Sequence, residues 1–238
     1  MKWFFIFLFV VGTAHAEQKS VRVFVALCDN KTQGIIPVGE KIGNGDDPDA
    51  NLYWGCSDGF GSYFKRSSKW DVVKSEKDIS HSVMRRMELK HKEDDIVLLV
   101  DAYRGSEIRN CYIAFEDALA SKEHDLVAFI GHNVLMDTTL LDAKVVEKNQ
   151  TKSVVLSCRS ESYCRGRLET LGSTPVLLTQ QLMYPGAFIL HDAIESWRNG
   201  GDLAAIRNAA GKAYAKNQGI SVSAATNVFA KLTEDSTE

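Results

Sequence analysis

The sequence lacks the short signatures of several large enzyme classes. There is no Gly-x-Ser-x-Gly elbow, no Walker loop and no Gly-x-Gly-x-x-Gly following a strand-like run. Serine-hydrolase and nucleotide-binding readings therefore have no positive support. Neither His-Glu-x-x-His nor Cys-x-x-Cys occurs, which removes the commonest zinc motifs. No basic stripe is interleaved with aromatics, Lys65-Arg66 and Arg85-Arg86 read as solvated helix faces, and the formal charge is only −3, so nucleic acid is not an expected partner. No internal repeat or low-complexity tract appears. Past the first residues, no apolar run approaches the roughly 20 residues that span a bilayer.

The beginning of the chain is informative. Met1-Lys2 precedes the apolar run Trp3-Phe-Phe-Ile-Phe-Leu-Phe-Val-Val11, and Ala14-His-Ala16 follows. A positive start, a short apolar centre and an Ala-x-Ala site describe a cleavable signal peptide over residues 1–16. The expectation is a secreted or periplasmic protein, without a membrane anchor after cleavage, whose residues 17–238 form a single domain. Its size suffices for one α/β core. Five cysteines follow: Cys28, Cys56, Cys111, Cys158 and Cys164. In an oxidising compartment an odd number leaves at least one thiol unpaired or paired between chains. If Cys158 is that thiol, the other four allow three disulfide connectivities.

Apolar runs of strand length recur along the chain. Val21-Arg-Val-Phe-Val-Ala-Leu27, Trp70-Asp-Val-Val-Lys74, Asp95-Ile-Val-Leu-Leu-Val100, the run ending at His132, Ser153-Val-Val-Leu-Ser157 and Pro175-Val-Leu-Leu-Thr179 read as six strands. Between them, a short helix is expected to open at Asn51, and helices are expected over residues 80–91, 107–121 and 135–147, with a helical C-terminal section over about 186–234. Strands alternating with helices predict an α/β fold, a three-layer αβα sandwich around a mainly parallel six-stranded sheet.

Two runs end in reactive side chains: Asp125-Leu-Val-Ala-Phe-Ile-Gly-His132 and Ser153-Val-Val-Leu-Ser-Cys158. Ligands of open α/β sheets bind beyond the carboxyl ends of the strands. A thiol and an imidazole meeting there suit thiol-mediated acyl transfer, Cys158 as nucleophile and His132 as acid and base. For Cys158 alone, a disulfide with Cys164 or an inert buried thiol is an equal alternative.

A buried strand ending in His, followed by one ending in Cys, resembles the clan CD cysteine peptidases (caspases, legumains, gingipains, clostripain and separase), which carry His-Gly and Ala-Cys at these places. The segments here are Phe129-Ile-Gly-His-Asn133 and Val155-Leu-Ser-Cys-Arg159, and Cys158-Arg159 echoes the Cys-Arg of the caspase signature. The chain departs from the pattern at Asn133 (glycine in the clan), Ser157 (alanine) and Ser160 (glycine in caspases). Its His132–Cys158 interval is about half the caspase spacing. Val25-Ala-Leu-Cys-Asp-Asn30 and Asn51-Leu-Tyr-Trp-Gly55 are also similar to segments of a group of secreted bacterial caspase-like proteins without a known activity. The resemblance implies a caspase-like fold and a metal-free His–Cys dyad that cleaves a peptide or protein substrate. Backbone N–H groups of Cys158 and of Asn133 or Val134 would hold the oxyanion.

Further polar residues stand at the same edge as substrate-binding candidates. Asp29 and Asn30 follow the first strand, where the resembling peptidases shape the pocket for the residue before the cleaved bond; a loop-capping Asp29 is the alternative. Asp101 and Arg104 follow the third strand and either bind substrate or pair with each other. Arg159 is the remaining candidate. No cofactor is expected. Asp46, Asp47 and Asp49 are hard oxygen donors that could hold Ca²⁺, but they lack EF-hand spacing, and capping of the helix at Asn51 explains Asp47 or Asp49 and is the favoured reading. The alternative function is a catalytically inactive caspase-like domain that uses this edge for binding.

Overall fold

The computed structural model describes residues 18–233; the expected signal peptide lies outside the described residues. Seven strands form one mixed sheet: β1 (Lys19–Ala26), β2 (Trp70–Lys77), β3 (Val83–His91), β4 (Ile96–Tyr103), β5 (Leu126–Ile130), β6 (Lys152–Leu156) and β7 (Thr174–Leu177), in the order β2-β3-β4-β1-β5-β6-β7. The segment β4-β1-β5-β6-β7 is parallel, and β2-β3-β4 is antiparallel. The sheet is thus larger and more mixed than the six strands expected.

The buried parallel strands follow from composition. Every residue of β5 is buried, as are the last six of β1. Such strands read as nearly continuous apolar runs, broken in β1 by Arg22, because helices cover both faces. On one face α2 (Ile108–Ser121) and α3 (Ser160–Thr170) pack against Phe24, Val127, Phe129 and Val155. α1 (Phe60–Lys65), α4 (Ala187–Arg198), α5 (Leu203–Gln218) and α6 (Val222–Thr226) lie over the other, against Val23, Ala128, Ile130 and Leu156. In α2, Ile108, Cys111, Tyr112, Phe115 and Leu119 are buried, the i, i+3, i+4 stripe of an amphipathic helix.

Three local expectations are corrected. The segment read as a helix over residues 80–91 is strand β3, in which Met87, Leu89 and His91 alternate with more exposed neighbours. Its Met, Arg, Glu and Lys favour helix, and pairing with β4 on one side and β2 on the other overrides that preference. Residues 135–147 contain only the end of a 3₁₀ turn, Val134–Met136, followed by chain in neither helix nor strand. The helix expected to open at Asn51 begins at Phe60, because Asn51 is fully buried and bonded to the Cys28 backbone in both directions (Oδ1 accepts at 3.0 Å, Nδ2 donates at 2.8 Å).

This strand order places the reversal of winding between β1 and β5. From β1 the chain proceeds to β4 on one side and later returns to β5 on the other. Crevices for ligands form outside the carboxyl ends at such a switch point.

Candidate functional site

β5 and β6 are neighbours in register, Ile130 opposite Leu156, and Gly131 N–H continues the ladder to the Leu156 carbonyl at 3.2 Å. His132 and Cys158 therefore leave adjacent strands at the same level, where strand axes lie about 4.8 Å apart. The Asn133 side chain fastens the two ends. Its Nδ2 donates to the Cys158 carbonyl at 2.7 Å, while its Oδ1 accepts the Leu135 N–H at 3.2 Å and caps the 3₁₀ turn. Asn133 thus has a structural use.

Cys158 occupies the turn between β6 and α3. Arg159, next in the chain, adopts the left-handed conformation (φ 52°, ψ 35°) and donates its N–H to the Gln181 carbonyl at 3.0 Å. A non-glycine residue there carries strain, which the surrounding structure must hold. It is held by a buried knot: Ser160 Oγ donates to the Val155 carbonyl at 2.8 Å and accepts the Thr179 N–H at 2.9 Å, while the Thr179 hydroxyl donates to the Ser157 carbonyl. The turn leads into the positive end of α3, which favours negative charge developing at Cys158. The thiol is half-buried; Sγ accepts the Met183 N–H at 3.4 Å, and the S–H donates to the Met183 carbonyl at 3.6 Å. Among the described residues, no protein acceptor meets the backbone N–H groups of Cys158, Asn133 or Val134.

His132 is buried, and its Nε2–H donates to Asp137 Oδ2 at 2.7 Å. An ionised carboxylate only accepts, so when the ring is neutral this bond keeps its proton on Nε2 and its lone pair on Nδ1. Asp137 was not among the sequence candidates. The one-turn Val134–Met136 segment brings it back over His132, and the Asn133 cap was the only local sign of that turn.

The other candidates have different partners. Asp29 caps its own loop, accepting from Lys31 N–H at 3.1 Å and Thr32 Oγ1 at 2.6 Å. Asn30 closes the same loop on Val38, donating to its carbonyl at 2.8 Å and accepting its N–H at 3.0 Å. Asp101 and Arg104 do not pair with each other. Asp101, 1% exposed, is held by Arg22 and by Arg86 (2.6 and 2.7 Å), and Arg104 pairs with Asp46. Arg86 thus faces Asp101 from β3 instead of lining a solvated helix. Arg159 is exposed. Asp49 binds Arg85 at 2.9 Å, and Asp47 caps Ala50 N–H at 3.3 Å, so the three loop carboxylates have separate partners and no candidate metal cluster occurs among the described residues.

All five cysteines are free thiols, which corrects the expectation of disulfides. Cys164 is buried on α3 in the opposite layer from the Cys158 thiol, against Tyr112. Burial pushes Cys28 up to about 11 and Cys164 up to about 12, and holds Cys111 well above the ordinary thiol range. These three are inert by desolvation. A cleft of about 390 Å³ opens at the other end of the sheet, between Lys152, Thr174, Trp197 and Leu203, with no cysteine or histidine in its lining.

No protein-family model, curated protein or solved structure matches this chain.

Proposed function

We propose that the protein is an exported cysteine peptidase of caspase-like fold, which hydrolyses peptide bonds with Cys158 and His132. The observation that carries this is the emergence of the two side chains at one level from adjacent parallel strands, beside the switch point. The Cys158 proton passes to His132 Nδ1, and the sulfur attacks the scissile carbonyl carbon. The tetrahedral oxyanion takes hydrogen bonds from the backbone N–H of Cys158 and of Asn133 or Val134. The C–N bond then breaks, and His132 returns the proton to the leaving amine. Water, deprotonated by His132, attacks the thioester; the S–C bond breaks, and the imidazolium proton restores the thiol.

The order β4-β1-β5-β6-β7 and the helices on both faces support the fold. Export rests on residues 1–16. No helix of the described residues is long and apolar enough to cross a membrane.

The test is cleavage of a mixed peptide library by the chain beginning at Glu17, under reducing conditions. Cleavage that disappears in Cys158→Ala and His132→Ala, each with an unchanged circular dichroism spectrum, is the expected result. A second reading, a non-catalytic binding domain, draws on the Asn133 side chain where the clan has glycine and on the Met183 N–H bonded to the sulfur. A folded wild type that cleaves nothing, with Cys158 no more reactive than an ordinary thiol, selects that reading.

A further inference from the structure

The chain leaving β1 folds back over the carboxyl edge and is pinned as it goes. Gln33 is buried, and its Nε2 donates to the Leu27 carbonyl at 2.8 Å and the Gly105 carbonyl at 3.0 Å. Asn30 closes the far side on Val38. Between these anchors Gly34 is presented to the turn after β5, where its N–H donates to Asp137 Oδ2 at 2.8 Å. That same oxygen receives the His132 Nε2–H at 2.7 Å. One carboxylate oxygen thus joins the base to a loop that lies 103 residues before that carboxylate in sequence.

We propose that Asp137 is a positioning residue for His132, and that Gly34 completes it, so that the tautomer and orientation of the imidazole depend on the docking of the loop after β1. This rests on the peptidase reading for its catalytic consequence, but not for its geometry. A neutral imidazole divides between two tautomers unless one N–H is captured. Capture of Nε2–H by Asp137 keeps the lone pair on Nδ1, the only nitrogen left to take the Cys158 proton. Asp137 is itself exposed to water, its side chain 35% accessible. The Gly34 N–H supplies a second, directional donor that holds the carboxylate over the ring.

Glycine at position 34 follows from the same contact. A Cβ there would overlap Asp137 Oδ1 and lie 2.9 Å from its Cγ and 3.1 Å from its Oδ2, and the nearest atoms around it are all from that carboxylate. A side-chain end can rotate away, so Gly34→Ala displaces the carboxylate without forcing the backbone. The lesion reaches His132 without touching it.

The test uses the chain from Glu17 with ¹⁵N-labelled histidine, the His132 signals being assigned by their loss in His132→Gln. Wild type is expected to show His132 as the Nε2–H tautomer, with a downfield, slowly exchanging imidazole proton. Asp137→Ala and Gly34→Ala are both expected to lose that proton and mix the tautomers, and Asp137→Glu to recover it in part. Where peptides are cleaved, kcat falls by up to roughly 100-fold, the cost of a reacting group misplaced by about 1 Å, with KM unchanged. An unchanged tautomer and proton in Asp137→Ala overturn the inference even if the wild type is active. Conversely, an Asp137-dependent tautomer in a protein that cleaves nothing supports the positioning and sinks the peptidase reading alone.

Discussion

Asp101→Asn keeps the size of the side chain and removes its charge, which isolates one contribution to stability. Asp101 lies on β4 and is 1% exposed, with Arg22 of β1 on one side and Arg86 of β3 gripping both oxygens at 2.6 and 2.7 Å. Removing one member of a buried ionic group costs about 3–5 kcal/mol, because the survivors stay desolvated. The two arginines do not share this equally. The Arg86 side chain is 33% exposed and rehydrates in place, whereas that of Arg22 is 10% exposed. Arg22 also lies 4.3 Å from the centre of the Phe24 ring and donates to the carbonyls of Val23 and Leu99, which leaves it little access to water. The lower end, about 3 kcal/mol, is therefore expected, or roughly 6–12 °C in Tm for a domain of this size. Urea unfolding followed by circular dichroism measures it, with the slope on denaturant unchanged. A loss below about 1 kcal/mol would refute the account of a carboxylate shared by two guanidinium groups. If that small loss came with a raised KM, Asp101 would face substrate instead.

Ser157→Ala is expected to keep or raise stability, by up to about 1 kcal/mol, because the Ser157 hydroxyl is buried without a hydrogen-bond partner; a lower urea midpoint would contradict that. Brief alkylation of the native protein at pH 8 should modify Cys158 and Cys56 and spare Cys28, Cys111 and Cys164, since the folded protein holds Cys28 at about 11 and Cys164 at about 12. Mass spectrometry of the native and urea-unfolded protein counts the adducts, and prompt native labelling of Cys28 would count against its burial. The same shifts set an alkaline limit. Buried thiols raised above the ordinary value of 9.0 contribute stability in full below pH 9, and this is lost as pH rises through 11 to 12. Thermal unfolding between pH 8 and 11 should therefore show a falling Tm.

The parallel half of the fold was legible because full burial leaves a plain trace: unbroken apolar runs, each closed by a polar residue. The same trace located His132 and Cys158. β3 was not legible, since Val83, Met84 and Met87 at helical spacing and a helix-forming composition outweigh the alternation of Met87, Leu89 and His91 until a partner strand is known. The polar candidates show a second limit. Asp29, Asn30, Asp101 and Arg104 all occur near the expected edge, but the identity of a charged residue does not say which partner it meets. Arg22 and Arg86, far from Asp101 in sequence, reach it only because β1 and β3 both flank β4. Asp137 was hidden for the opposite reason: it is close to His132 in sequence, but only the turn Val134–Met136 brings it there.

The outer strands carry a consequence for assembly. β2 bears Asp71, Lys74, Glu76 and Lys77 and is interrupted by a bulge at Val72/Lys74, while β7 has four residues, one of them Pro175. Charge, irregularity and proline are the means by which flanking strands refuse a visiting β-segment. Lateral zippering of one molecule onto the next is therefore disfavoured at both margins of the sheet.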